Sequence, residues 1–298
     1  MTHGTGRLGL VVAATIVAWA DVAHAYVRAR STVDDYDLIW PDPHISLTVY
    51  TGTSVVSPSD FVGAATAAAA TWSAPAADTS VAIAIASSPA QPAGPVFDHE
   101  NTISFRTSSW EAPMYPASAL ALTTIWTSGG KIVETDTEIN AYDPSFHWAV
   151  LADDPAVAMT SGDDDLQNAL THELGHVLGL AHPCYLGVVP DPPALDNLGQ
   201  PELGCSDPAL PIDVRAATMY PTAAPGNIGE RSLSSDEVMA LRDLYPAGRA
   251  PVVEGPPAAP AAAGGCSVAD AGRRDSFPLS AASLLLMAAS IVVTRRRR

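Results

Sequence analysis

The segment His172-Glu173-Leu174-Gly175-His176-Val177-Leu178-Gly179-Leu180-Ala181-His182 gathers three imidazoles and one carboxylate within eleven residues. Residues four apart share one face of a helix, so His172 and His176 can grip a single metal ion. His182 lies beyond Gly179, and glycine tolerates the positive φ at which a helix commonly stops. A chain that turns there can return His182 to the same ion. Three neutral imidazoles leave the fourth tetrahedral position of Zn2+ open, which separates a catalytic site from a structural one. Glu173 adjoins a ligand and is placed to act as general base on a water held there. A bare HExxH also arises by chance, with both histidines on the surface and the glutamate an exposed helix residue. The longer pattern fixes five positions, and chance matches to it are far rarer.

The run resembles the signature of the metzincin metallopeptidases, which a methionine turn follows later in the chain. Ala217-Thr218-Met219-Tyr220-Pro221 matches that turn. Read alone, Met219 is an ordinary core methionine; the resemblance implies an apolar floor beneath the ligands. Within the metzincins the chain looks most like the matrixins, through Asn101 to Phe105, Asp165 to Leu170, Leu233 to Glu237 and Leu244-Tyr245-Pro246. The likeness spans about residues 36–246 and is sharpest at the metal-binding run. It implies an α+β, zincin-like catalytic domain: a twisted mixed sheet, an active-site helix and a C-terminal helix. It further implies a zinc endopeptidase acting on polypeptide, as a monomeric catalytic domain. A cell-surface or adhesion module that binds zinc without turnover is the alternative. Two departures stand out. Ala223 replaces the tyrosine that ends the family's turn, which puts the substrate pocket wall in doubt. No cysteine precedes Cys184, so latency through a propeptide thiol has no residue to use.

At 298 residues, one domain of about 200 residues with appendages fits better than two full domains. The formal charge of -17 argues against nucleic acid as a partner. Leu8 to Ala20 is apolar and Ala23-His24-Ala25 offers a cleavage site, so 1–25 reads as a signal peptide. The alternative is a retained anchor, for which the apolar stretch is short. Residues 26–246 form the expected catalytic domain and 247–265 an Ala/Pro/Gly-rich linker. The tail, 266–298, holds Cys266, an apolar segment and four terminal arginines. It resembles MYXO-CTERM sorting tails, and a plain membrane anchor is the simpler option. Either way the domain is exported, to the cell surface (the outer membrane) or the medium. In an oxidising compartment Cys184 and Cys205 can pair; otherwise they are two buried thiols.

Along the domain, His44 to Thr51, Ser80 to Ala86, Thr102 to Arg106 and Leu120 to Thr127 read as strands, and Phe61 to Trp72 as a helix. Lys131 to Asn140 alternates and reads as an edge strand. By analogy with matrixins, Glu134 to Asn140 would border the cleft and pair with extended substrate. The active-site helix starts near Leu166. Leu233 to Tyr245 reads as the last helix, with Ser234 or Ser235 as N-cap. Tyr185 to Ile212 reads as a long loop. Asp163-Asp164-Asp165 either complements the helix dipole or supplies oxygens to Ca2+. His99 and His147 are isolated, so no second zinc set assembles.

Overall fold

The computed structural model describes residues 26–249, except 31–36, 76, 93, 111–114 and 188–191. The expected signal peptide, most of the linker and the tail lie outside the described residues. Among the described residues no helix is long and apolar enough to cross a membrane.

The chain runs β1 (Val27–Arg28), β2 (His44–Tyr50), α1 (Pro58–Ser73), β3 (Ala82–Ser88), β4 (Thr102–Arg106), β5 (Ala121–Ser128), β6 (Lys131–Asn140), β7 (Trp148–Ala149), α2 (Pro155–Ala158), β8 (Asp164–Asp165), α3 (Leu166–Val177), β9 (Leu180–Ala181), α4 (Ile212–Arg215) and α5 (Ser235–Leu244). Five strands form a mixed sheet in the order β3-β2-β4-β6-β5. Its first three pairings are parallel and β5 runs antiparallel to β6. The architecture is therefore mixed, with helices packed on a sheet, as an α+β reading requires.

Local chemistry accounts for the elements. In β2, Ile45, Leu47 and Val49 alternate into the core. Ser57 caps α1 through the Asp60 amide and Pro58 opens it. The alanines at 64, 65, 68 and 69 let α1 lie close to α3, with Phe61 and Trp72 at the ends of the same buried face. Gly129 and Gly130, at φ 57° and 76°, make the tight turn joining β5 to β6. Ser234 caps α5 in a full capping box with Glu237.

One expectation is corrected. Lys131–Asn140 is not an edge strand: β6 lies between β4 and β5, and the edges are β3 and β5. The polar alternation of β6 comes from carboxylates that are buried and bonded. Glu134 accepts the amides of Asp98 and His99. Asp136 accepts the Val96 amide and the Thr102 hydroxyl. Glu138 takes the Arg106 guanidinium at 2.7 Å and the Tyr115 hydroxyl at 2.7 Å. A strand that looks half solvated is interior because each charge has a donor waiting.

Burial pushes Asp136 up to about 7, well above the ~3.9 of a free aspartate. A raised carboxyl favours folding while protonated, and that advantage is lost as pH rises from about 4 through about 7. Chemical denaturation of wild type and Asp136→Asn at pH 5 and pH 8 should show the variant gaining on wild type at the higher pH. A difference that does not move with pH removes this account of Asp136.

Candidate metal centre

Helix α3 is buried on nearly every side. Leu166, Leu170, Leu174 and Val177 enter the main core, while His172, Glu173 and His176 are also almost fully covered. Its ends are tied down. Asp165 caps the N-terminus through the Asn168 amide and takes both Nε and Nη2 of Arg231. At the C-terminus, the Trp40 indole donates to the Val177 carbonyl at 2.7 Å and the Tyr245 hydroxyl to the Leu178 carbonyl at 2.9 Å. Trp72 donates to the Thr171 carbonyl at 2.7 Å. Carbonyls that solvent would otherwise satisfy thus have protein partners.

Gly179 ends the helix at φ 83°. A Cβ there would also sit 2.1 Å from the Leu38 carbonyl oxygen. Both the conformation and the space demand glycine. The turn carries the chain into β9, and His182 comes back beside the helix as expected.

The three histidines converge. The Nε2 atoms of His172 and His176 are 3.1 Å apart, those of His172 and His182 3.1 Å, and those of His176 and His182 3.2 Å. The far nitrogens decide the tautomers. His172 Nδ1 lies 2.8 Å from the Thr218 carbonyl, and His176 Nδ1 2.8 Å from the Leu180 carbonyl. A carbonyl only accepts, so each Nδ1 carries the proton and each Nε2 presents a lone pair. Burial pushes His172 down to about 4 and lowers His176 and His182 well below the usual range. Neutral imidazoles are therefore the rule at ordinary pH. Tetrahedral zinc with bonds of about 2.0–2.1 Å spaces its nitrogens about 3.3–3.4 Å apart, so the donor set fits a small divalent ion. These are the described residues that can hold a metal. His182 is the one ligand that is partly exposed.

Glu173 is fully buried beside them. Its Oε2 accepts the Thr123 hydroxyl at 2.6 Å, and its Oε1 is buried with no hydrogen-bond partner. Burial pushes the carboxyl up to about 8, against the lowering effect of the Thr123 bond. A cation nearby favours the ionised form. The site thus holds one tethered and one free carboxylate oxygen.

Met219 packs against the helix at Gly175. A Cβ on Gly175 would fall 2.1 Å from the Met219 sulfur and 2.9 Å from the Trp72 ring. The turn is held from α5, since Glu237 accepts the Met219 amide at 3.0 Å. Thr218, whose carbonyl orients His172, gives its hydroxyl to the Ser232 carbonyl at 2.9 Å. Cys184 and Cys205 are disulfide-bonded. Ala223 is buried beside Leu120 and Ala169.

The aspartate run does not assemble a cation site. Asp165 is occupied by Arg231 and by backbone amides, Asp164 accepts the His147 amide and Asp163 the Ser161 hydroxyl. The helix-capping reading is the one the structure builds, at Asp165. His99 and His147 are exposed and apart from the centre. Sequence reasoning missed Thr123, Gly175, Trp72 and Glu237. Only Glu237 carried a usable signal, as the fourth residue of a capping-box pattern.

No protein-family model matches the chain, and no curated protein matches it.

Gly175→Ala should push Met219 off the helix and disturb the ligand pair on either side. We expect a loss of about 1–3 kcal/mol in stability, typical of overpacking, and weaker zinc retention in a chelator competition. A variant that matches wild type in both would show that this contact does not shape the centre.

Proposed function

We propose that the chain is an exported zinc-dependent endopeptidase of metzincin, matrixin-like type. The observation that carries this is the convergence of three neutral imidazole Nε2 atoms, two of them on buried rings, beside a glutamate with one free oxygen. The Gly179 turn, the methionine against Gly175 and the mixed sheet with α1, α3 and α5 support the family resemblance. The disulfide supports an oxidising compartment. Surface attachment through the tail is part of the proposal, and so is polypeptide as the substrate class.

His172, His176 and His182 would hold the metal, and the Thr218 and Leu180 carbonyls fix two of the rings. Bound zinc would supply Lewis acidity, acidifying a water and polarising the scissile carbonyl. Glu173 does the proton work. Its free Oε1 takes a proton from the attacking water, and the same group returns it to the departing amine nitrogen. Closure of the site by core side chains limits water around that carboxylate. Substrate approaches from the side of the partly exposed His182, along the β5 edge, which has no second strand partner among the described residues. Its backbone edge suits an extended peptide.

The test uses purified protein with metal analysis on the same sample. One zinc per chain and cleavage of an unfolded protein, abolished by chelator and restored by zinc, are expected. Glu173→Ala should keep the zinc and lose at least about 100-fold in kcat, as loss of a general base implies. Stoichiometric zinc without any cleavage across a peptide library would leave a binding module instead. Full activity in Glu173→Ala would refute the mechanism.

A further inference from the structure

Thr123 sits on the edge strand β5, directly opposite Thr137 on β6. Both residues are fully buried. A buried hydroxyl without a partner is costly, so a strand position that only fills space takes valine as readily as threonine. Here each hydroxyl has a defined task. Thr123 Oγ1 lies 3.0 Å from Thr137 Oγ1 and donates to Glu173 Oε2 at 2.6 Å. Each hydroxyl owns one hydrogen, and an ionised carboxylate only accepts. With Glu173 ionised, as a bound cation would hold it, the order is fixed: Thr137 donates to Thr123, and Thr123 to Glu173. That bond occupies one oxygen of the carboxylate and leaves Oε1 as its free acceptor. No other hydrogen bond to the Glu173 side chain is present among the described residues, so this single contact from the sheet restrains its rotation.

We propose that Thr123 is the positioning residue for Glu173: a hydroxyl pair on the edge strand β5 and its neighbour β6 tethers Oε2 and thereby directs Oε1 to its proton. The proposal rests on the reading of Glu173 as general base. Thr123 touches no reacting atom and acts only through that carboxylate. The edge strand then has two duties, offering backbone to an extended peptide on its rim and fixing the base with a side chain turned toward α3. A base that is free to rotate keeps its chemistry and loses its aim, so the cost falls on the chemical step rather than on binding.

The experiment compares the full-chain protein with Thr123→Val, which keeps shape and removes the donor, and Thr123→Ser, which keeps the donor. Thr123→Val should retain one zinc per chain and lower kcat by about 10- to 100-fold, as small misplacements do, with KM unchanged within about two-fold. Thr123→Ser should recover most of the rate. In a Glu173→Ala background, Thr123→Val should cost nothing further, because its effect passes through the missing carboxylate. A second arm needs no turnover. In metal-free protein labelled at the glutamate carboxyl carbon, the NMR resonance absent from Glu173→Ala should shift in Thr123→Val and return in Thr123→Ser. Wild-type kcat in Thr123→Val, an equal loss in the Glu173→Ala background, or an unmoved carboxyl resonance would each overturn the proposal. If the wild-type protein cleaves nothing while the resonance shifts as described, the tether stands and the endopeptidase reading fails.

Discussion

Three imidazole Nε2 atoms are held within 3.2 Å of one another, and those of His172 and His176 present lone pairs because their Nδ1 atoms donate to carbonyls. Without a cation this is an unfavourable arrangement. The lone pairs repel, burial opposes protonation, and the fixed Nδ1–H bonds to Thr218 and Leu180 keep the rings from turning away. A divalent ion relieves all three at once. Because such a site does not exist in the unfolded chain, the free energy of binding an ion there would become free energy of folding.

The remaining scaffold holds α3 against the repulsion. Arg231 and Asp165 lock its start, and Trp40 and Tyr245 lock its end from opposite extremes of the sequence. The floor comes from a third region, where Met219 is suspended between Gly175 and the Glu237 carboxylate. Glu237 also closes the capping box of α5. One carboxylate therefore starts the last helix and places the methionine turn, which couples the folding of the C-terminal segment to the shape of the metal floor.

The triad was legible in the sequence because its rules are local: a four-residue helical spacing, and a glycine at the one point where the helix must end. The positions of most strands and of the three main helices followed from alternation and caps for the same reason. What escaped notice is non-local. Nothing near Thr123 says that its hydroxyl meets Glu173, since that contact joins residues fifty positions apart. Gly175 reads as one more small helix residue until Met219 and Trp72 press against it. The misplacement of β6 has a specific cause. Glu134, Asp136 and Glu138 look like a solvated rim, and only the fold supplies the amides of Val96, Asp98 and His99, the Thr102 hydroxyl and the Arg106–Tyr115 pair that make an interior strand of them. The Gly129-Gly130 turn joins β5 to β6, but a turn cannot say which of its strands is outermost.

The disulfide shows how the least regular part of the chain is drawn into the same centre. Cys184 follows His182 by two residues, so whatever fixes the cysteine limits the third ligand. Its partner Cys205 offers a carbonyl to Arg215 at 2.9 Å and to the Tyr220 hydroxyl at 3.4 Å, and Tyr220 follows Met219 directly. The sulfurs pack with Leu210 and Val214. A long loop poor in regular structure would leave His182 on a loose tether, at an entropic cost growing with loop length. Cross-linking it removes roughly 3 kcal/mol of that cost by the chain-entropy estimate. His182, which the helix cannot position, is thus positioned by a bond whose far end rests on the turn at Met219 and Tyr220, which brings the loop side of the centre and its floor under one constraint.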